Sequence, residues 1–249
     1  MSQPDLLTLI MATCGAAVVT GFLRNAVGGG IGLTLTPLLT LFLPPQLVLA
    51  MLGLLLLGSD PISLRLYWKP WDRDEARRLL PTMIVGVLLG GWLVASLSPT
   101  GLRRTIGAAA LLFGLVQIFA MLRQRPGTSP PVSPAVNMSV GLAAGVASTV
   151  AHSGGVVVGL YLVTRPLTNA GIVATGTVLY TVSDVMKVGT YWMIGWITPA
   201  LLLATGAALP MLYLGSWLGY RLNARLPRRA FALALLGFAF ASALRLLLS

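Results

Sequence analysis

The sequence predicts an all-α polytopic membrane protein made of two inverted repeats. Each repeat has about five hydrophobic segments, eight to ten spans in all, with broken or short helices at glycine-rich motifs. Three observations carry this expectation. Hydrophobic residues fill 56% of the 249 positions and charged residues only 9%, and the mean hydropathy is +0.87. A soluble surface needs far more charge, whereas lipid tolerates an apolar exterior. Next, the chain matches itself. At a shift of 124, Ser59-Asp60 falls on Ser183-Asp184, Gly30 on Gly154 and Tyr67-Trp68 on Tyr191-Trp192. At a shift of 125, Trp71 meets Trp196, Gly90 meets Gly215, Trp92 meets Trp217, Arg103-Arg104 meet Arg228-Arg229 and Phe113 meets Phe238. All six tryptophans thus fall into three matched pairs, a signature of internal duplication. The third observation is that equivalent loops carry opposite charge bias.

Taken in order, the first copy has apolar runs at about 6–23, 31–43, 46–67, 79–97 and 102–122, and the second at about 136–151, 155–164, 170–192, 198–220 and 230–248. The first repeat is set at 1–123, a proline-rich linker at 124–134 and the second repeat at 135–249. Gln124 to Pro134 contains four prolines and cannot sustain a helix. The second run of each copy rises only ~20 Å as a helix, against the ~30 Å of a bilayer core. It is expected to be a half-helix, a tilted segment or the continuation of a broken first helix, and Pro37 and the preceding glycines fit a break. No basic residue precedes the first apolar run, so a cleavable signal peptide is not expected.

Basic residues set the orientation. The loop after run three of copy one holds Lys69, Arg73, Arg77 and Arg78, while its counterpart Met193 to Ile197 holds none. The loop before run five holds Arg103 and Arg104 in copy one, but Arg221, Arg225, Arg228 and Arg229 in copy two. The copies therefore face opposite ways, as an odd number of crossings per copy requires. The amino terminus lies outside, and Arg24, Lys69 to Arg78, Arg123, Arg125, Arg165 and Arg221 to Arg229 lie inside, with only Arg103 and Arg104 on the wrong side. The net charge of +11 reads as topology determinants beside anionic headgroups, with no nucleic acid as partner. Arg65, near the membrane surface, is expected to snorkel. Cys14 is the only cysteine, which excludes an intrachain disulfide or a multi-cysteine metal site.

Inverted-repeat transporters bind substrate near the midplane, where broken helices converge. The breaks here are Arg24 to Gly32, with Asn25, Gly28, Gly29 and Gly30, and Ser148 to Gly155, with His152, Ser153, Gly154 and Gly155. Glycine lets backbone amides approach a ligand, and a half-helix starting there presents unpaired N–H groups and a positive dipole end to an anion. Close helix packing is the competing explanation. The glycine run lacks the strand context and the G-x-x-x-x-G-K-[ST] spacing of a nucleotide loop. Asp60 and Asp184 are carboxylates deep in apolar runs, where they are costly and face a cavity or a partner. Lys187 lies three residues beyond Asp184 and forms a neutral pair with it in the structural alternative. These three are the candidates for proton coupling. His152, the only histidine, is a candidate proton acceptor or anion contact. Arg24 offers either a fixed charge for an anion or another topology signal.

The stretch Asn25 to Leu39, NAVGGGIGLTLTPLL, resembles the N-x-x-G-G-G-G/I-G…P-L-L signature of the sulfite exporter TauE/SafE family. Leu89-Gly90-Gly91-Trp92-Leu93 followed by Arg103-Arg104 is similar to that family's small-residue helix and the arginine pair before its next span. The resemblance covers nearly the whole chain. In the second copy His152-Ser153-Gly154-Gly155 replaces a fuller glycine run, and no proline matches Pro37. The resemblance implies a membrane transporter for sulfite, sulfonates or other small anions.

The function expected is therefore a secondary transporter, an exporter, of a small sulfur oxyanion or sulfonate in the cytoplasmic membrane, working by alternating access. A passive anion channel is the alternative, and a structural subunit or an intramembrane enzyme a remoter one. No catalytic residues, cofactor or metal are expected. The expected partners are the anion, the bilayer and coupling protons, and the sequence leaves a homodimer open.

Overall fold

The computed structural model describes residues 5–27, 31–66, 68, 71–123, 133–223 and 228–248. These residues form helices and no strands, in the order α1 (Leu6–Val27), α2 (Ile31–Thr40), α3 (Pro45–Leu66), α4 (Arg73–Ser96), α5 (Pro99–Arg123), α6 (Pro134–Ala151), α7 (Gly154–Val163), α8 (Asn169–Met193), α9 (Pro199–Asn223) and α10 (Arg228–Leu248). Each of the ten apolar runs has become one helix. α1, α3, α4, α5, α6 and α9 are long and apolar enough to cross a bilayer. α8 has 25 residues, and its apolar character is interrupted by Asp184 and Lys187. The outward surface carries Leu, Phe, Trp and Met, including Trp92, Leu115, Leu122 and Met193, as a lipid-facing exterior must.

Capping shifts two of the expected boundaries. α4 begins at Arg73, well before its apolar run, because the Asp72 side chain accepts from Glu75 N at 2.8 Å and acidic residues fill the first turn. α6 begins at Pro134, inside the expected linker, because Ser133 caps it and proline suits the first turn. Pro37 does not mark the break of copy one. It lies inside α2, as Pro61, Pro81 and Pro210 lie inside α3, α4 and α9.

The short helix α7 folds back on α6. The Tyr161 hydroxyl, near the end of α7, lies 2.9 Å from Asn137 Oδ1, near the start of α6. At the other end, a Cβ on Gly154 would come within 2.5 Å of Ala144 O and 2.8 Å of Ser148 Cβ. α6 and α7 are thus two arms of a hairpin, and its tip is His152-Ser153. Among the described non-glycine residues only His152 has a positive φ, at 52°. That left-handed conformation closes the tip at a cost of about 1–2 kcal/mol.

The two most extensive helix interfaces are α1 with α9 and α4 with α6. Both depend on glycine. A Cβ on Gly21 would sit 2.8 Å from Ser216 N and closer still to Leu212 O, and Gly215 and Gly219 press against Val18 O and Phe22 O. A Cβ on Gly145 would sit 2.6 Å from Val87 N and closer to Met83 O, and Gly86 lies against Leu142 O. Small residues let the backbones touch, which replaces the hydrophobic drive that lipid does not supply.

The contacts form matched sets under exchange of α1–α5 with α6–α10. α1 with α9 matches α6 with α4, α2 with α10 matches α7 with α5, and α3 with α9 matches α8 with α4, while α3 with α8 and α5 with α10 are their own counterparts. α3 lies at the centre, with Val48, Leu49, Ala50, Met51 and Leu55 fully buried.

Replacing Gly145 by alanine forces α4 and α6 apart and is expected to cost about 1–3 kcal/mol, whereas Gly206→Ala, where a Cβ meets nothing, costs nothing comparable. Thermal unfolding of the two variants in detergent checks this, and equal melting temperatures would contradict it.

Candidate functional site

Four charged side chains from three helices meet in the interior. Arg24 of α1 points one guanidinium nitrogen at Asp60 Oδ1 of α3 and the other at Asp184 Oδ2 of α8, the latter at 3.2 Å. Lys187 Nζ reaches Asp184 Oδ1 at 2.6 Å. The order is Asp60, Arg24, Asp184, Lys187, with signs alternating along the row. Asp60, Asp184 and Lys187 are buried and the Arg24 side chain is 11% exposed. Each ion pays several kcal/mol to leave water, and only close opposite charges compensate it.

Helical spacing assembles this row. Tyr180, Ser183, Asp184, Lys187 and Tyr191 repeat at i, i+3, i+4, i+7 and i+11 and so share one face of α8. Thr13, Ala17, Thr20 and Arg24 do the same on α1, and the first three are fully buried. The α8 face is tied to the α6–α7 hairpin. Ser183 Oγ lies 2.8 Å from Ser148 Oγ, Tyr180 donates to Gly155 O at 3.2 Å, and Tyr191 donates to Thr149 O at 2.5 Å.

At the hairpin tip, α2 of the first copy lies directly on the break of the second. Gly32 has no room for a Cβ because it rests on the backbone and Cβ of His152. Thr36 Oγ1 donates to Ala151 O at 3.3 Å and lies 3.4 Å from His152 Nδ1. His152 Nε2 is buried without a hydrogen-bond partner. Ser153 is fully engaged in the fold: its amide donates to Ala147 O and its hydroxyl to Ala151 O, each at 3.0 Å. Gly154 and Gly155 occupy the first turn of α7, where amides have no carbonyl four residues back.

Of the sequence candidates, the structure brings Arg24, Asp60, Asp184 and Lys187 together. It places His152, Ser153, Gly154 and Gly155 at the hairpin tip beside them. Asn25 is buried and its Nδ2 donates to Gly21 O at 3.1 Å, back along its own helix. Gly28, Gly29 and Gly30 lie outside the described residues. Arg24 is not a surface topology charge, because the two aspartates hold it inside. Tyr180 and Thr36 were not singled out from sequence, although the α8 spacing carried the signal for Tyr180.

A second polar cluster gathers on Glu75, the only glutamate. Arg165 Nε donates to Oε1 at 2.8 Å, Arg78 Nη1 to the same oxygen at 3.1 Å, and the Tyr161 hydroxyl to Oε2 at 2.6 Å. Asp72 N donates to Thr175 Oγ1 at 2.9 Å nearby. Arg165, read from sequence as a topology charge, thus also fastens the end of α7 to the start of α4, Arg78 pairs with Glu75 within α4, and the Tyr161–Asn137 and Asp72–Thr175 contacts bring in α6 and α8.

Removing the shared cation should harm the fold more than removing the terminal one. Arg24→Ala leaves two buried carboxylates facing each other and is expected to cost about 3–5 kcal/mol. Lys187→Met, which leaves Asp184 paired with Arg24, costs less. Melting in detergent ranks the two, and the reverse order would contradict the row of alternating charges.

The comparisons with known proteins agree with this architecture at the level of family. No curated protein and no solved structure matches the chain significantly. The sulfite exporter TauE/SafE family matches residues 13–246, a span that contains both hairpin elements, both aspartates and the cations between them. The chain is a multi-pass membrane protein that belongs to the sulfite exporter TauE/SafE family, a family of membrane transporters of sulfur anions.

Proposed function

We propose that the protein is a secondary transporter, an exporter, of a small anion across the cytoplasmic membrane, with sulfite, a sulfonate or a related sulfur oxyanion as cargo. The observation that carries this reading is Arg24, a buried guanidinium held between aspartates at equivalent positions of the two copies. Guanidinium presents a fork of donors that matches an oxyanion. Beside it lie the first-turn amides of Gly154 and Gly155 and the unpartnered His152 Nε2, all donors or potential donors to an anion. The glycine run at Gly28 to Gly30 and the side chain of Asn25 complete the binding set in this reading. Asp60 or Asp184 carries a coupling proton.

Alternating access comes from one repeat rocking against the other. The matched helix pairings support two copies related by exchange. The hairpin of α6 and α7 supports their inversion, because a hairpin returns the chain to the side it left. Three further crossings, α8, α9 and α10, then give an odd total per copy, and that parity turns the next copy over. Reporter fusions after residues 75 and 225 are expected to report the same, cytoplasmic compartment; opposite compartments would rule out the inverted arrangement.

Purified protein should be stabilised against heating by at least one of sulfite, thiosulfate, sulfoacetate and taurine. Asn25→Ala and His152→Ala are expected to lose that response. If both variants respond like wild type, the anion binds elsewhere. Uptake into proteoliposomes separates a carrier from a channel: flux that is only downhill and insensitive to any ion gradient marks a channel.

A further inference from the structure

The two copies share their aspartates but not their cations. At a shift of 124, Asp60 matches Asp184, but Lys187 matches Ser63, and Arg24 matches Ser148. In copy two the ammonium of Lys187 sits one helical turn from Asp184 and contacts its Oδ1. In copy one the equivalent turn offers only a hydroxyl. Ser63 Oγ is buried without a hydrogen-bond partner, and so is Asp60 Oδ2. Both residues are more than nine-tenths buried, at 4% and 1% exposure. A buried carboxylate oxygen and a buried hydroxyl, three residues apart on one helix face and both unsatisfied, each cost free energy that a bound ion removes.

Charge balance points the same way. Arg24 and Lys187 are cationic and Asp60 and Asp184 anionic, so the row sums to zero. An anion that joins Arg24 brings the buried site to a net negative charge, which a low-dielectric interior opposes. One cation arriving with it restores neutrality. Asp184 is engaged by two cations, whereas Asp60 has one ion-pair partner among the described residues, Arg24. The charged groups around Asp60 are Arg24 from α1, and Asp184 with Lys187 behind it from α8. The helices α2, α5, α6 and α9, which also pack on α3, bring no buried ionisable side chain among the described residues except His152, at the end of α6.

We propose that Asp60 and Ser63 bind an exchangeable monovalent cation, H+ or Na+, at the position where the second copy carries the tethered ammonium of Lys187, and that this cation moves together with the anion. The inference rests on the transport reading above for its second half only. A proton needs only the carboxylate, whereas Na+ draws on the carboxylate and the hydroxyl together.

The cation site is tested without any sulfur anion. Wild-type protein in detergent is melted from pH 8 to pH 5 in choline chloride, and again with NaCl at the same ionic strength. If H+ is the ion, the folded-to-unfolded ratio rises as pH falls, by up to about tenfold per pH unit for one proton taken up on folding. If Na+ is the ion, it rises by about tenfold for each tenfold excess of Na+ over its dissociation constant. Asp60→Asn and Ser63→Lys, the latter reproducing the second copy, are expected to abolish the response. A wild type indifferent to both ions overturns the site, and so does a wild-type response that either folded variant retains in full.

Transport of 35S-sulfite into proteoliposomes containing a pH-sensitive dye then tests the coupling. Sulfite entry is expected to carry protons inward or to accumulate under an inward Na+ gradient. Sulfite entry with neither effect overturns the coupling, while a failure to move any of the four sulfur compounds overturns the transport reading and leaves the melting result standing.

Discussion

The guanidinium of Arg24 is the piece on which the interior depends. Among the described residues it is the one cation that forms an ion pair with both aspartates, and it belongs to a helix, α1, whose main partner is α9 rather than α3 or α8. Buried carboxylates on α3 and α8 repel each other and each lose their hydration, and the cation from a third element offsets both costs where those two central helices meet. The same group would be the first to engage an incoming anion. Fold and proposed function therefore compete for one side chain, which is the usual condition of a site that must change state.

Around this centre the packing is made with backbone rather than with large side chains. Gly21, Gly215 and Gly219 at one crossing, and Gly86, Gly141 and Gly145 at the other, bring main chains into contact. Contact there is the sum of many weak dispersion terms between closely approaching backbones. Among the described residues, ion pairs in the interior are concentrated in two places, the ion row and the Glu75 cluster, both of which couple helices of α1–α5 to helices of α6–α10.

Much of this was legible in the sequence. Ten apolar runs became ten helices because their hydropathy and the punctuation by glycine, proline and charge are local properties. The aspartates stood out because a carboxylate in an apolar run is rare, and because each copy repeats it. Helix starts were less legible at α4 and α6, where Asp72 and Ser133 cap polar or proline-rich turns that hydropathy passes over. The fate of Arg24 was only half legible: the sequence leaves it either a fixed charge for an anion or a topology signal, and only the third dimension brings Asp60 and Asp184 to it. The same holds for Arg165, whose partner Glu75 lies ninety positions away in the chain. Ser63 was invisible alone and became informative only when set against Lys187, its counterpart in the other copy.

The Glu75 cluster has no twin. Carried across the internal exchange, Glu75 corresponds to Ala200, Asn137 to Thr13, Tyr161 to Pro37 and Arg165 to Leu41, four residues that carry no charge. An exact duplication would hold both ends with the same groups. Here one end is fastened by buried charge and its counterpart carries none, so parting the helices at the charged end would cost more than at the other.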